Sequence, residues 1–595
     1  MCRIAGIYRP YNDNLTSDIQ KMSEVMYRGG PDGEGYFIHS DIPLALGHRR
    51  LALLDLSPSG AQPMAAKDGK YQIVYNGEIY NFREIREELK RSGYSFTTHT
   101  DTEVVLAAYE EWGITCFSKF NGMFALALWD ERNKQLILAR DQSGIKPLYF
   151  HLSKEKGLLF ASEIRAFKAI GGWTENPDWQ AAFLMFGHLP EPFTTLRDVA
   201  PLEKGTVLTI EIPSLAITQT RFGKTEFSNR IFTREEALLQ LREKLTGAVE
   251  RHLISDAPIG LFLSGGIDSS LLTMLAQPFI GKNLKTLSIT FEDATLNEEP
   301  FQKIIADRSG AHHESFLVTE KLFQEKLPDI LEAMDQPSTD GINSYFISKY
   351  AHEYGLTAVL SGIGADELFG GYPSFQRSSK TNTLRKLPAF LPGLAEFASN
   401  EKIRKLAFFG YKGIIGEYLF NRGAFSPAQT AAITGRSQRE IDSLVGKVRI
   451  PDINNNTAPG NRASFLETHL YMQNQLLKDA DYMSMWHSLE IRVPFLDKEV
   501  VSLALSIDPS VKYKADQGKH LLIEAFKDIL PESIWNRKKM GFTFPFYQWM
   551  KHIEAPALNG QYADVRNKFM SGKMHWSRYW NYLLSQNVSE LEYVS

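Results

Sequence analysis

The chain has 595 residues, too many for one hydrophobic core, so two large domains are expected. Its 66 Lys and Arg against 70 Asp and Glu give a formal net charge of -4 and a pI near 6.4, which leaves no electrostatic footprint for nucleic acid or an anionic membrane. The two cysteines make no disulfide framework, no apolar run approaches the ~20 residues of a membrane helix and no signal peptide precedes the first strand, so a cytoplasmic protein is expected.

Cys2 is followed at once by the strand-like run Ile4-Ala5-Gly6-Ile7-Tyr8. Removal of the initiator methionine would leave a thiol and an α-amine on one residue, and their ordinary pKa values of ~8.5 and ~7.7 to 8 suit proton transfer between them. Cys116, among apolar neighbours, reads as an inert core residue. Polar clusters then fall between apolar runs: Arg28-Gly29-Gly30-Pro31-Asp32, Gly47-His48-Arg49-Arg50-Leu51, Tyr75-Asn76-Gly77-Glu78-Ile79-Tyr80-Asn81 and Thr100-Asp101-Thr102-Glu103. Short β-rich segments follow at Phe124–Asp130, Leu136–Asp141 and Leu158–Glu163, which predicts a sandwich of antiparallel sheets. Taken alone, Asn76-Gly77 is also a common hairpin turn.

These clusters, with Arg140-Asp141 and Gly144-Ile145-Lys146-Pro147-Leu148, resemble the glutaminase domain of asparagine synthetases and other N-terminal-nucleophile amidotransferases over nearly all of residues 1–205. The resemblance implies an αββα sandwich in which Cys2 attacks the glutamine amide and Asn76 with the Gly77 amide forms the oxyanion hole. It also implies that Arg50, beside Leu51, holds the glutamine α-carboxylate while Glu78 and Asp101 take the α-ammonium. One departure stands out: the family usually has Arg-Gly-Pro-Asp in the first loop, whereas Gly29 occupies the arginine position and Arg28 lies one place earlier.

Residues 206–234 read as a hairpin and linker, with Pro213-Ser214 as a turn, and a helical pattern over 235–253 leads to the strand Ile259–Leu263. That strand ends in Ser264-Gly265-Gly266-Ile267-Asp268-Ser269-Ser270. Adjacent glycines let backbone amides approach an anion, Ser264, Ser269 and Ser270 add hydroxyls, and the following helix points its positive end at the charge. Asp268 suits the Mg2+ that accompanies a nucleotide. The loop resembles the pyrophosphate loop of the ATP pyrophosphatases. Runs at 284–291, 301–309, 315–318, 345–354 and 357–360 alternate strand and helix, predicting a doubly wound parallel sheet with ligands at its carboxyl edge. A second glycine loop, Ser361-Gly362-Ile363-Gly364-Ala365-Asp366-Glu367, follows the last of these strands; its Ser361 and Gly362 would close the nucleotide site, and Asp366 would share Mg2+ with Asp268. A plain turn with Asp-Glu capping the next helix is the alternative for this loop.

The insert from about 375 to 460 carries no motif and is expected to be helical. Further on, Asp479–Met485, Glu490–Asp497 and Asn536–Phe542 resemble the C-terminal half of asparagine synthetase. That likeness puts Phe262 and Ile289 at the adenine side of ATP, counts Leu263 among the ATP-binding residues and gives Lys539 the phosphates and the acyl-adenylate. It implies a glutaminase domain at 1–205, a linker at 206–234 and an AMP-forming synthetase domain at 235–595. Ammonia from glutamine would pass through an internal channel to a small carboxylate activated by ATP. Family members are often dimers, which admits a homodimer here. Aspartate, a sugar acid or a natural-product carboxylate remain alternatives as acceptor, and a decayed regulatory protein is a further one. Ile363 bears on this choice, because the family commonly has glutamate there; unless Glu367 or Asp335 substitutes, aspartate is expected to be a poor acceptor.

Overall fold

The computed structural model describes residues 2–593 apart from 11–13, 224, 385–389, 397, 399, 412, 455, 515, 538–543, 556–559 and 587–591. The N-terminal part holds two six-stranded sheets. The first runs in the order Ala200–Pro201, Tyr149–Ser153, Gly157–Ala161, Arg3–Tyr8, Leu44–Arg50 and Gly33–Ile38. The second runs Ile217–Arg221, Thr206–Glu211, Gln135–Arg140, Gly122–Asp130, Tyr71–Ile79 and Met64–Ala65. The hairpin expected after residue 205 is thus hydrogen bonded into the second sheet, where Thr206–Glu211 pairs with Gln135–Arg140.

Strand alternation sorts the side chains into layers. Ile4, Leu44 and Leu46 of one sheet meet Val74, Ala125, Ala127 and Leu138 of the other in a buried core between the sheets. The opposite faces are covered by helices. Ala5, Ile7 and Ala45 pack on Ile19 and Met22 of helix Leu15–Glu24, while Ile73, Tyr75 and Leu126 pack on Phe82, Ile85 and Val104 of helices Phe82–Arg91 and Asp101–Trp112. This is the αββα sandwich that the resemblance implies.

The C-terminal part is built on a five-stranded parallel sheet in the order His312–Leu317, Lys285–Thr290, Ile259–Phe262, Ala358–Leu360 and Glu490–Arg492. The next two strands in chain order, Lys285–Thr290 and His312–Leu317, therefore lie to one side of Ile259–Phe262 and the later two to the other. The order reverses between Ile259–Phe262 and Ala358–Leu360, and the two glycine loops leave from the carboxyl ends of those two strands. In an open parallel sheet such a reversal opens a crevice for a ligand. The 375–460 stretch contains the helices Ile414–Arg422, Pro427–Thr434 and Gln438–Gly446. Among the described residues no helix is long and apolar enough to cross a membrane.

Candidate active sites

Cys2 directly precedes the strand Arg3–Tyr8 and is buried. Its backbone N–H donates to Asn76 Oδ1 at 3.2 Å, and its thiol faces the Leu51 carbonyl oxygen at 4.0 Å. Burial pushes the thiol pKa up, so its attack needs a base. Asn76 Nδ2 is buried and has no hydrogen-bond partner among the described residues. A buried donor left in that state fits an oxyanion. Asn76 and Gly77 do not form a hairpin turn: they lie within the strand Tyr71–Ile79, opposite Ala125 and Phe124. Glycine is required at 77 because a Cβ there would sit 2.2 Å from the Met123 carbonyl oxygen.

Cys2, Arg50, Leu51, Gly77, Glu78 and Asp101 line one pocket. Arg50 donates to the carbonyl oxygens of Ser57, at 2.8 Å, and Asp55, and Gly60 leaves room for its guanidinium. Asp101 opens the helix Asp101–Trp112 and accepts from the Tyr75 hydroxyl at 2.7 Å and the Ile79 N–H at 2.9 Å. Burial raises the Asp101 pKa and raises that of Glu78 well above its ordinary value. Arg28 does not reach this pocket. Its guanidinium lies 4.1 Å over the Trp486 ring, and its carbonyl oxygen accepts from Ser488 Oγ at 2.6 Å. Gly29 lies against Arg3, where a Cβ would come within 2.7 Å of that side chain.

Phe262, Leu263, Ser264, Asp268, Ser269, Ile289, Ser361, Gly362, Ile363 and Asp366 line a cavity of ≈ 310 Å³ at the reversal point of the parallel sheet. Gly265 turns the loop with φ +74° ahead of helix Ile267–Ile280, a conformation that disfavours a side chain. The Ser264 hydroxyl accepts from the Gly266 N–H at 3.3 Å and shares a hydrogen bond of 3.0 Å with Ser269 Oγ. Arg537 ties this loop down, donating to the Gly265 carbonyl oxygen at 2.9 Å and to Glu298 at 2.7 Å. Lys539 lies outside the described residues.

Asp268 and Asp366 are brought together, and the group between them is a lysine. Lys519 Nζ lies 2.5 Å from Asp268 Oδ2 and 2.5 Å from Asp366 Oδ1, and the two carboxylates hold its pKa above the ordinary value. Sequence reasoning missed Lys519. The signal lay in Gly370-Gly371: a Cβ on Gly371 would fall 1.5 Å from Asp366 Oδ1 and 2.5 Å from Lys519 Cε. Among the described residues no group of three metal-ligating side chains occurs. Glu367 also lines this cavity, but its oxygens accept from the Gly364 N–H at 3.0 Å and the Tyr372 hydroxyl at 2.6 Å. Asp335 is not on the cavity wall; it accepts from the Ile164 and Arg165 N–H groups at 2.6 and 2.8 Å.

The edge strand Glu490–Arg492 touches both sites. Ile491 lines the cavity at the reversal point of the parallel sheet, and Arg492 Nη2 lies 3.4 Å from Glu78 Oε2 of the Cys2 pocket. Asp497, on the same segment, bonds Arg251 at 3.0 Å and Asn121 Nδ2 at 3.0 Å.

The family described as asparagine synthase matches residues 240–570, and the glutamine amidotransferase domain family matches residues 1–222. An asparagine synthetase [glutamine-hydrolyzing] of Bacillus subtilis is 34% identical over 576 residues, spanning 93% of this chain and 88% of that protein. An amidase, chry2, of Gibberella zeae is 27% identical over 583 residues, spanning 90% of this chain and 86% of its own length. Among solved structures, a glutamine phosphoribosylpyrophosphate amidotransferase of B. subtilis overlaps 60% of this chain and 80% of its own at 15% identity and a TM-score of 0.29.

Proposed function

The chain belongs to the glutamine-hydrolysing asparagine synthetase family, and from that premise we propose how its residues divide the work of an ATP-dependent amidotransferase. Residues 1–205 carry the glutaminase with the hairpin of 206–221 completing its second sheet, 222–234 connect, and 235–595 carry the synthetase. The Cys2 thiolate attacks the glutamine side-chain carbonyl carbon, forming a C–S bond while the carbonyl electron pair moves onto oxygen. Asn76 Nδ2 and the Gly77 amide receive that oxyanion, Arg50 binds the α-carboxylate beside Leu51, and Glu78 with Asp101 binds the α-ammonium. The proton leaving the thiol goes to the Cys2 α-amine and then to the departing ammonia, and water afterwards releases glutamate from the thioester.

In the second site Phe262, Leu263 and Ile289 flank the adenine, and the loops from Ser264 to Ser269 and from Ser361 to Gly362 cradle the phosphates. The acceptor carboxylate oxygen bonds to the α-phosphorus as the bond to pyrophosphate breaks; ammonia then displaces AMP from the acyl carbon. Lys519 is placed to meet negative charge that accumulates on the phosphates, a role that Lys539 shares in the family likeness. Asp268 and Asp366 suit Mg2+, which takes one or two carboxylates and completes its shell with substrate phosphates; when bound it neutralises phosphate charge. The reading includes an internal passage for ammonia, a cytoplasmic location, no nucleic-acid partner and a homodimer.

The observation that carries this reading is the short strand Glu490–Arg492, which lines the nucleotide-side cavity with Ile491 and reaches Glu78 of the Cys2 pocket with the next residue, Arg492. Its test is Cys2→Ala, expected to abolish glutamine-dependent amidation while amidation with ammonium persists; equal loss of both would overturn it.

The acceptor is a carboxylate other than aspartate. Ile363 stands on the cavity wall where it can neither bind an ammonium nor accept a proton, and both oxygens of Glu367 are already engaged.

A further inference from the structure

A second, larger cavity of ≈ 630 Å³ adjoins the nucleotide-side cavity, and Asp340 and Asn343 belong to the walls of both. The helix that separates them is a π-helix over Glu467–Leu476, a wide coil common at functional sites. Its Tyr471 and Gln475 face the larger cavity and its Leu476 the smaller. The combined space far exceeds what aspartate fills and falls in the range of sites for larger small molecules, roughly 300 to 1,000 Å³.

The charge on the larger wall is lopsided. Lys405, Arg422, Lys573 and Arg578 face it against Asp340 and Glu401. Two of the cations are neutralised within the protein: Arg422 bonds Glu467 at 2.8 Å, and Arg578 bonds Glu401 at 3.0 Å. The Lys405 and Lys573 ammonium groups make no ion pair or hydrogen bond among the described residues. Lys405 is half-buried and Lys573 exposed, and burial together with the nearby Arg578 disfavours the charged form of Lys405. Two ammonium groups on one cavity wall, neither bound to a carboxylate among the described residues, offer charge-assisted hydrogen bonds to an anion from outside. Tyr471, Phe546 and Trp576 supply flat apolar faces for a ring between that anion and the reacting carboxylate.

We propose that this cavity holds the body of the acceptor: a ring-bearing molecule with the carboxylate that is amidated at one end and a phosphate group, received by Lys405 and Lys573, at the other. The proposal rests on the reading that the smaller cavity activates a carboxylate other than aspartate. The carboxylate would enter past Asp340 and Asn343, leaving the phosphate in the larger cavity.

The test is a binding measurement on the full chain, which requires no turnover and so separates this proposal from the reading it rests on. Calorimetric titration uses glucuronic acid 1-phosphate, glucuronic acid and aspartate, with ATP titrated alone as a control for an intact nucleotide site. The phosphorylated acid is expected to bind about tenfold or more tightly than glucuronic acid or aspartate. A Lys405→Ala/Lys573→Ala variant is expected to lose about tenfold for the phosphorylated acid alone, with ATP affinity and glutaminase activity unchanged. Lys405→Arg, which keeps the charge, should restore binding when paired with native Lys573. Equal affinity for the phosphorylated and unphosphorylated acids, no binding of the phosphorylated acid, or an unchanged affinity in the double variant would overturn the proposal. Loss of amidation with every acceptor, with phosphate-dependent binding intact, would instead count against the reading of the smaller cavity.

Discussion

Arg492 joins the two halves of the protein through Glu78: the guanidinium Nη2 lies 3.4 Å from Glu78 Oε2, while its Nε holds Glu490 at 2.5 Å and its Nη1 donates to the His252 carbonyl oxygen at 2.8 Å. All three side chains are buried; the arginine is the direct counter-charge of Glu490, whose pKa it lowers, and the nearest cation to Glu78, whose charged form burial disfavours. Lysine keeps the charge but not the fork that reaches three partners. Arg492→Lys is therefore expected to lower glutamine-dependent amidation by about tenfold while ammonium-dependent amidation stays within about twofold. Parallel assays with the two nitrogen donors check this; equal loss with both would show that Arg492 serves folding alone.

The Asp268–Lys519–Asp366 bridge predicts a shared phenotype for three chemically different substitutions. Lys519→Met removes the cation, Asp366→Asn removes half of its counter-charge, and Gly371→Ala places a methyl 1.5 Å from the position of Asp366 Oδ1. Each is expected to cut acceptor-dependent pyrophosphate release by about a hundredfold or more, on the scale of removing one preorganised charge from an active site, with glutaminase activity retained. Pyrophosphate and glutamate release measured on the same preparations decide it. Normal pyrophosphate release by Gly371→Ala would show that Asp366 need not sit where the structure places it.

Lys512 carries a pH signature that belongs to the fold and not to the chemistry. It is buried, donates to the Ala504 carbonyl oxygen, and burial pulls its pKa down to about 7, with Asp508 opposing. The unfolded chain holds that proton more tightly. Its contribution to stability is least favourable below pH 7 and improves as pH rises from about 7 towards the unfolded value near 10.4. Lys512→Met, similar in length and without the charge, is expected to raise the unfolding temperature at pH 6 by at least about 2 °C, an advantage that shrinks by pH 9. Thermal unfolding of both chains across that range checks it, and a constant difference would mean that Lys512 keeps its proton in the fold throughout that range and that burial does not lower its pKa.

What could be read from the sequence, and what could not, follows from the range of the interactions. The strand Ile259–Leu263 with its glycine pair, and the alternation behind it, are local patterns, and they led to the parallel sheet and the place of its crevice. Asn76-Gly77 was ambiguous locally because the same dipeptide makes hairpin turns; pairing with Ala125 and Phe124 resolves it, and that pairing is a long-range fact. Lys519 meets Asp268 across 251 positions and sits in no recognisable pattern of its own, so only the Gly370-Gly371 pair that leaves it room hinted at it. Arg28, one place before the position where the family has arginine, stays away from the Cys2 pocket because Trp486, from the other half of the chain, takes its guanidinium. The 375–460 insert looked empty because Lys405 and Arg422 become neighbours of Lys573 and Arg578 only when the C-terminal segment folds over it.

Ile363 gives the sharpest test of the acceptor. It stands on the wall of the nucleotide-side cavity, two residues before the helix Ala365–Phe369, and packs against the main apolar core with part of its side chain still facing the cavity. The acids that remain nearby cannot stand in for a carboxylate at this position. Glu367 spends its oxygens on Gly364 and Tyr372, Asp335 spends its on Ile164 and Arg165, Asp340 accepts from the Gly341 N–H at 3.1 Å and Asp479 from Ser338 Oγ at 2.7 Å, and burial disfavours the charged form of these last two. An α-ammonium entering with aspartate would therefore lose water without gaining a charged partner, an omission worth roughly 1.5 to 3 kcal/mol for a hydrogen bond to a charged group. Native enzyme supplied with ATP, Mg2+ and glutamine is expected to form asparagine at least about tenfold less efficiently, by kcat/KM, than it amidates its best carboxylate, and Ile363→Glu is expected to raise the aspartate value by about tenfold or more. Saturation of the native enzyme by aspartate at ordinary cellular levels, with no gain from glutamate at 363, would make this chain an asparagine synthetase in the plain sense.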